Sequence, residues 1–376
     1  MKSINLDNID SLKTELENGI SVMYGAGGNG ERLLKIFQEH SIAVHYFCDD
    51  DYNKWETSFH DIRVISFDKL KEFCQNEKVN VILTSVFAGP ILGRLEGISA
   101  VVYEPFSMLI DRYYKNSFYK VSLPKEEIEI FQNKVQIVID KINDMESKQI
   151  LKKILNVVSE SGRMRYSYFF DVVSREDCYF IKEVLEALPE HPIVIDCGGF
   201  TGDLMTALDR HGIAYDKVYS FEVNQELFGI MQENIRKNSL EGRFLPINKG
   251  VWDASGKAYL NVKSDDIAGG KVDNDTDGVA IDVVSIDDYF GDMKFDFIKM
   301  DIEGAELNAI GGGISSIRNC RPIMAISLYH SVSDVVEIPL YLFEKLENYH
   351  FLIRHHSFID SETVLYCIPD ERMKEE

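Results

Sequence analysis

One stretch constrains the fold more than any other: a β-branched run that breaks into a glycine-rich turn ahead of a helix. The run is Ile193–Asp196, and the turn contains Gly198, Gly199 and Gly202. A short apolar run of this kind predicts a buried strand of a parallel sheet, and the glycines permit positive φ angles and close backbone approach. Because open α/β sheets bind ligands at the carboxyl ends of their strands, this turn predicts a cofactor loop.

Acidic residues follow the first two predicted strands of this region. Asp196 ends the first strand, and Cys197 stands where the first glycine of a dinucleotide fingerprint would be. Glu222 lies 20 residues after Gly202 and ends the second strand, where an acid can bind both ribose hydroxyls. The pattern favours S-adenosylmethionine, whose amino group and sulfonium are cationic, over a dinucleotide. The alternative is an ordinary buried βαβ unit with a tight turn.

Length and composition bound the class of protein. A chain of 376 residues predicts two or more domains, and 45% apolar with 27% charged residues is typical of a soluble globular protein. The net charge of −22 argues against nonspecific binding to nucleic acid or anionic membrane. The six scattered cysteines, with no apolar leader and no membrane-spanning run, predict a reducing, cytoplasmic location without membrane insertion.

A second glycine pattern, near the start of the chain, does match the dinucleotide fingerprint. Gly25, Gly27 and Gly30 have the required spacing between a predicted strand and a predicted helix. Asp49 follows the next strand, 19 residues beyond Gly30, as the ribose-binding rule requires. Residues 1–105 are therefore predicted to form a small Rossmann-like domain that binds a nucleotide or nucleotide-sugar. The alternative is a turn used for packing or for homodimer formation.

The pattern then changes twice. Residues 106–190 have helical periodicity, which predicts a helical linker and cover, and the aromatic and basic segment Arg163–Phe170 lines a substrate mouth or packs against the next domain. From residue 191 onward, strands recur at α/β spacing and end in a predicted antiparallel hairpin. The polar segment Ser264–Gly278 is either a flap or a solvated loop, and it lacks the glutamate and helical flanks of an EF-hand calcium site.

These motifs together resemble the FkbM-type family of S-adenosylmethionine-dependent methyltransferases. The resemblance covers residues 166–367 and is carried by four segments: Ile195–Asp203, Tyr219–Asn224, Val284–Tyr289 and Phe297–Glu306. It implies an α/β fold in which residues 191–376 form a class I methyltransferase Rossmann-like sheet, with parallel strands and a C-terminal antiparallel hairpin. It also implies an O-methyltransferase that acts on a small-molecule or glycan acceptor.

The same resemblance assigns further cofactor contacts to residues beside the second and third strands. These are Val223, Asn224, Gly250 and Val251, of which the last two are predicted to meet the adenine. The first glycine segment resembles the Rossmann-like half-domains fused to bacterial enzymes of nucleotide-sugar metabolism, which favours a sugar hydroxyl as the acceptor. Two alternatives stay open: an NAD-dependent nucleotide-sugar enzyme and a non-catalytic nucleotide-sensing scaffold.

Three residues at adjacent strand ends are candidates for the base that accepts the hydroxyl proton: Asp301, Glu303 and His330. Histidine ordinarily titrates near neutrality, which favours His330, whereas the family geometry favours Asp301 as a ligand of the methionine amine. The three residues, with His355 or His356, could alternatively bind a divalent metal that acidifies the acceptor. We predict catalysis by a base without a metal.

Overall fold

The computed structural model of the chain describes residues 1–4, 6–85, 89–105, 125–159, 169, 171–261, 271–273, 278–358 and 361–374. The chain divides into two compact units. The first unit consists of Met1–Ser122, Asn156–Asp177 and His356–Asp360, and the second of Leu123–Leu155, Cys178–His355 and Ser361–Glu376. Among the described residues, no helix is long and apolar enough to cross a membrane.

The first unit is built on a seven-stranded sheet. Its strands are β1 (Lys2–Ser3), β2 (Ile20–Tyr24), β3 (Tyr46–Cys48), β4 (Ser58–Phe59), β5 (Ile62–Ile65), β6 (Val79–Leu83) and β7 (Ala100–Glu104). They are ordered β1-β7-β6-β2-β3-β5-β4, and every neighbouring pair is parallel except β4 and β5. The chain moves from β2 to β3 on one side and returns to β6 on the other, so a topological switch point lies between β2 and β6.

Among the described residues of this unit, four helices accompany the sheet in sequence. They are α1 (Ile9–Leu16), α2 (Gly28–Glu39), α3 (Phe67–Asn76) and α4 (Gly89–Leu95). Helix α1 buries Ile9, Leu12 and Leu16, which lie on one face because they recur every three to four residues. Strand β6 is buried along its whole length, as expected for the interior of a parallel sheet.

The second unit contains a larger sheet and a smaller one. Its strands are β8 (Ile193–Cys197), β9 (Lys217–Phe221), β10 (Phe244–Ile247), β11 (Gly250–Val251), β12 (Gly256–Asn261), β13 (Lys271–Asp273), β14 (Val279–Val284), β15 (Phe297–Met300), β16 (Ile323–Ser327), β17 (Tyr349–His355) and β18 (Thr363–Pro369). The larger sheet has the order β10-β9-β8-β15-β16-β18-β17, and the smaller has the order β11-β14-β12-β13.

Strand direction in the larger sheet agrees with the sequence prediction. In this sheet β10, β9, β8, β15 and β16 are parallel to one another, whereas β18 runs antiparallel to both β16 and β17. The predicted parallel sheet with a closing antiparallel hairpin is therefore confirmed. The chain moves from β8 to β9 and β10, then returns to β15 on the other side of β8, so a second switch point lies between β8 and β15.

The remaining helices are α5 (Lys125–Lys141), α6 (Met145–Ser159), α7 (Lys182–Ala187), α8 (Asp203–Arg210), α9 (Gln225–Lys237), α10 (Ile286–Phe290), α11 (Glu306–Gly311), α12 (Ile314–Cys320) and α13 (Asp334–Lys345). In the second unit, Leu204 of α8 and Met231 of α9 pack with the sheet residue Val218 in one apolar core. Burial of these helix faces fixes where the loops that precede the helices lie.

A buried arginine ties the turn between α5 and α6 to the sheet of the second unit. Arg354 of β17 lies 2.6 Å from Asp144, 3.4 Å from Glu146 and 3.4 Å from Glu183. A buried guanidinium needs such partners, because an unpaired charge away from water is costly. Most of the predicted substrate-mouth segment Arg163–Phe170 and most of the predicted flap Ser264–Gly278 lie outside the described residues.

Candidate functional site

The glycine loop after β8 is fixed by close packing. Gly198 has a φ of +87°, and a Cβ atom on it would lie 1.8 Å from the carbonyl oxygen of Asp301. A Cβ atom on Gly199 would lie 2.2 Å from the Ser220 hydroxyl, and Gly202 has a φ of +92° at the start of α8. The glycines are therefore required by the fold, and they hold the loop backbone against the ends of β9 and β15.

Asp196 at the end of β8 is buried and already has protein partners. Its Oδ2 accepts a hydrogen bond from the Ser220 hydroxyl at 2.6 Å, and its Oδ1 lies 3.2 Å from Lys299 Nζ. Burial raises the pKa of Asp196, and the Lys299 charge opposes that rise. Lys299 also donates to the Gly198 carbonyl, so the pair fixes the glycine loop from beneath. Asp196 therefore contacts the glycine loop indirectly, through Lys299 and the Gly198 carbonyl oxygen.

Lys299 is a site residue that the sequence reasoning did not single out. It lies within the buried strand β15. Burial lowers the pKa of Lys299, but the charges of Asp196 and Asp301 outweigh burial, and the net pKa is raised. The available signal was a lysine in the middle of an otherwise apolar predicted strand.

Glu222 follows β9 and receives two backbone hydrogen bonds. Its Oε2 accepts from Phe200 N at 2.9 Å and its Oε1 accepts from Asn224 N at 2.7 Å. Burial raises the pKa of Glu222, whereas these two amide hydrogen bonds lower it. A carboxylate has about four lone-pair positions, so two remain for a ligand. Glu222 thus connects the end of β9 with the glycine loop at the position predicted for a ribose.

The other predicted cofactor residues lie close to Glu222. The Asn224 side chain caps α9 by accepting from Glu226 N at 2.9 Å and Leu227 N at 3.2 Å. Gly250 and Val251 form the buried strand β11, and a Cβ atom on Gly250 would lie 3.1 Å from Val223. Val223 and Gly250 are therefore neighbours, and contact with a cofactor there stays a prediction.

Asp301 follows β15 and is the centre of a polar cluster. Its Oδ2 accepts from the Tyr179 hydroxyl at 3.0 Å, and its Oδ1 accepts from the Tyr329 hydroxyl at 2.9 Å and lies 3.2 Å from His330 Nε2. Although burial opposes it, the His330 contact and the Lys299 charge lower the pKa of Asp301. Asp301 is therefore an anion that two tyrosine hydroxyls hold in place, and its carboxylate keeps lone pairs for a further donor.

His330, which the sequence prediction favoured as the base, lies between carboxylates. Its Nδ1 is 2.9 Å from Glu306 Oε1, and its Nε2 is 3.2 Å from Asp301 and 3.8 Å from Glu303. Neither ring nitrogen of His330 forms a well-aligned hydrogen bond, so these contacts are ion pairs. Although burial opposes it, Asp301 and Glu306 raise the pKa of His330 well above its ordinary value. The protonated imidazolium is the favoured form at neutral pH, and it has no lone pair to accept a proton.

A metal at this cluster would compete with the imidazolium. Asp301, Glu306 and His330 offer ligand atoms within 4.8 Å of one another, but the protonated His330 already supplies the positive charge between the two carboxylates. His355 instead contacts the Thr363 hydroxyl at 2.9 Å, and His356 lies 3.3 Å from the Glu176 carbonyl oxygen. Metal binding by Asp301, Glu306 and His330 would require His330 to release that proton.

Glu362 is a second site residue that the sequence reasoning missed. The Cys178 thiol donates to its Oε2 at 3.6 Å. Burial, followed by the charge of Asp301, raises the pKa of Glu362 to about 7. It belongs to this end of the sheet because β18 is antiparallel, so the residue that precedes β18 meets the carboxyl end of β16. The signal was an acid directly before a strand predicted to close the sheet as an antiparallel hairpin.

Three residues of this region have strained backbones. Tyr179, Glu303 and Glu362 have φ angles of +70°, +57° and +65°, in the left-handed region that side chains other than glycine, asparagine and aspartate seldom adopt. Strain of this kind costs on the order of 1–3 kcal/mol per residue and concentrates at functional sites. The strained residues and the shifted pKa values coincide at the carboxyl edge of β15 and β16.

The predicted nucleotide site of the first unit has a different character. A Cβ atom on Gly25 would lie 2.5 Å from the Thr84 hydroxyl, and one on Gly30 would lie 2.3 Å from the Gly25 carbonyl oxygen, whereas Gly27 has open space. Asp49 accepts from Ala26 N at 2.8 Å and lies 3.1 Å from Lys54 Nζ. The glycines and the acid come together as predicted, and ligand binding there stays a prediction.

Comparison with known proteins gives a family match and an extended structural match. Residues 196–353 match the family model described as the methyltransferase FkbM domain. The crystal structure of methyltransferase FkbM from Methylobacillus flagellatus KT aligns over 96% of this chain and 94% of that chain, with 23% identity and a TM-score of 0.55. That likeness shows the fold and confirms the predicted α/β class.

Two shorter alignments involve other methylases. An rRNA methylase from Streptococcus thermophilus aligns over 49% of this chain and 89% of its own, with 15% identity and a TM-score of 0.32. A putative methyltransferase from Streptococcus mutans in complex with SAH aligns over 49% and 92%, with 12% identity and a TM-score of 0.31. No curated protein matches the chain.

Proposed function

Because the chain contains an FkbM-type methyltransferase domain over residues 196–353, we propose that it transfers a methyl group from S-adenosylmethionine to a hydroxyl of a sugar or glycan precursor. The protein is a methyltransferase, and the proposal adds the cofactor, the O-methyl chemistry and the acceptor. The observation that carries it is the connection between Glu222 and the glycine loop: the Glu222 carboxylate accepts from Phe200 N at 2.9 Å and retains lone pairs for a ribose diol.

The chemistry of methyl transfer matches what the site offers. The acceptor oxygen must be placed in line with the methyl carbon and the sulfur, and its proton must be removed. Positioning supplies much of the acceleration. The fixed anion Asp301 can bind the methionine amine, with Tyr179 and Tyr329 holding its carboxylate at 3.0 and 2.9 Å. The fusion to a nucleotide-sugar-like first domain favours a sugar hydroxyl by analogy.

We expect Glu222→Ala to lower the affinity for S-adenosylhomocysteine about 10- to 100-fold, because one or two charge-assisted hydrogen bonds to the ribose are lost. Isothermal titration calorimetry on the full chain measures this. Asp49→Ala is the matched control: it removes the acid of the first glycine loop and leaves the affinity unchanged. Equal affinities in Glu222→Ala and the parent would contradict the assignment of Glu222.

A thermal-stability panel with S-adenosylhomocysteine, NAD and UDP-glucose separates the function classes. A ligand at 100 times its Kd stabilises the folded state by about 2.7 kcal/mol. We expect S-adenosylhomocysteine to stabilise the protein. Stabilisation by NAD alone favours the nucleotide-sugar enzyme, and stabilisation by UDP-glucose alone favours the nucleotide-sensing scaffold.

A further inference from the structure

Glu362 reaches the cofactor edge through the reversed direction of the last strand. In the antiparallel pair of β16 and β18, Ser327 faces Val364, and Leu328 N donates to the Thr363 carbonyl oxygen at 2.8 Å. The residue before Thr363 therefore lies beside Tyr329, at the end of the sheet where Asp301 and the glycine loop lie. A carboxylate thus joins the site from a strand that runs opposite to its neighbours.

The groups that face Glu362 come from three loops. The loop before α7 contributes Cys178, whose thiol donates to Oε2 at 3.6 Å, together with Tyr179. Asp301 comes from the end of β15, and Tyr329 and His330 come from the end of β16. Among these, Asp301 repels a proton-free Glu362, whereas His330, Tyr329 and Cys178 stabilise it.

These surroundings give Glu362 the properties of a proton acceptor at neutral pH. Burial and the Asp301 charge raise its pKa to about 7, close to the value at which a general base is most effective. Glu362 is half-buried, so the residue keeps some exposed surface. Its φ of +65° places strain at this position.

The other candidates lack at least one of these properties. Asp301 has a lowered pKa, and its oxygens accept from Tyr179 and Tyr329, so it is a weak base. His330 is held in its protonated form by Asp301 and Glu306. Glu303 keeps 39% of its side-chain surface exposed, where water screens its charge.

We propose that Glu362 is the general base of the methyl transfer. One of its carboxylate oxygens takes the proton of the acceptor hydroxyl while the hydroxyl oxygen attacks the methyl carbon. The new C–O bond forms as the C–S bond breaks, and the sulfonium becomes a neutral thioether. After the methylated product leaves, the proton passes from Glu362 to water. This inference rests on the proposed O-methyl transfer and assigns its proton acceptor.

The first test compares Glu362→Gln with Glu233→Gln in the full chain. Glu233 is an exposed glutamate of α9 that lies 3.5 Å from Lys237, so its substitution is the matched control. S-adenosylhomocysteine formation is measured between about pH 5.5 and 9, with UDP-glucose, UDP-N-acetylglucosamine and methyl glucoside as acceptor probes. We expect Glu362→Gln to lower kcat by at least about 10²-fold with the Kd for S-adenosylhomocysteine unchanged.

The pH profile separates a base from a merely structural residue. The parent kcat should rise with pH through an apparent pKa near 7, and this rise should be absent from Glu362→Gln. An active parent together with a Glu362→Gln turnover that lies within about threefold of it would overturn the base assignment and leave the proposed function standing. Failure of the parent to bind S-adenosylhomocysteine would instead contradict the proposed function.

A second measurement needs no acceptor. Carbon-13 NMR follows the glutamate carboxyl groups of the full-length protein with S-adenosylhomocysteine present, and the signal missing from Glu362→Gln identifies Glu362. Titration of that signal near pH 7 supports the inference. Titration in the ordinary range of a glutamate, about 4.3, overturns it even where none of the acceptor probes is methylated.

Discussion

The two glycine loops of this protein share a construction and differ in the residue across the switch point. In the first unit, Asp49 accepts from Ala26 N at 2.8 Å, and in the second, Glu222 accepts from Phe200 N at 2.9 Å. Each acid therefore holds the backbone of its own glycine loop. An acid at this position alone does not distinguish a catalytic unit from a packing unit.

The difference lies at the neighbouring strand. Strand β6 is followed by Thr84, whose hydroxyl donates to the Tyr24 and Gly25 carbonyl oxygens at 2.8 and 2.7 Å. Strand β15 is followed by Asp301, which is surrounded by tyrosines, an imidazolium and a carboxylate of raised pKa. The Thr84 hydroxyl is uncharged and donates to the backbone, whereas the charged groups around Asp301 can bind a cation and accept a proton. We therefore place the chemistry in the second unit.

The largest expected effect is a difference in the free energy of unfolding between matched glycine substitutions in the two loops. We expect Gly198→Ala to destabilise the protein by about 4 kcal/mol or more, because the added Cβ meets the Asp301 carbonyl oxygen at a positive φ. Gly27→Ala is the matched change in the first loop, and since Gly27 has open space, its effect should stay within about 0.5 kcal/mol. Denaturant unfolding of both variants measures this. Similar losses in both variants would contradict the packing assigned to Gly198.

A smaller effect should come from the charge at His330. Because Asp301 and Glu306 raise its folded-state pKa, protonation of His330 stabilises the fold below its unfolded pKa, and this contribution is lost as pH rises through the folded pKa. We expect His330→Asn to cost about 2–3 kcal/mol at pH 6 and less at alkaline pH. Thermal unfolding of parent and variant at several pH values measures the difference. A cost that does not change with pH would show that His330 is neutral in the folded protein.

The smallest effect concerns the starts of two helices, α2 after the first glycine loop and α9 after Glu222. The Asn224 side chain caps α9, whereas Gly27, which precedes α2, provides no side-chain cap. We expect Asn224→Ala to cost about 1 kcal/mol, and Gly27→Asn to gain a few tenths. Calorimetric melting of each variant against the parent measures both changes. An unchanged Tm for Asn224→Ala would mean that water replaces the cap.

The sequence by itself determined the local elements and their order. The β-branched run before Gly198 and the spacing to Glu222 predicted a strand, a turn and an acid that the structure brings together. Such features depend on backbone sterics and on the period of apolar residues, and both are written in neighbouring residues. The closing hairpin was predictable for the same reason.

Only the tertiary structure decided which groups carry charge and which side chain can accept a proton. The predicted base His330 becomes an imidazolium because Asp301 and Glu306 converge on it from another strand end. Glu362 acquires its raised pKa because an antiparallel strand places it near Asp301, about 60 residues away in sequence. A pKa depends on burial and on charges within a few ångströms, and no local pattern of residues specifies those distances.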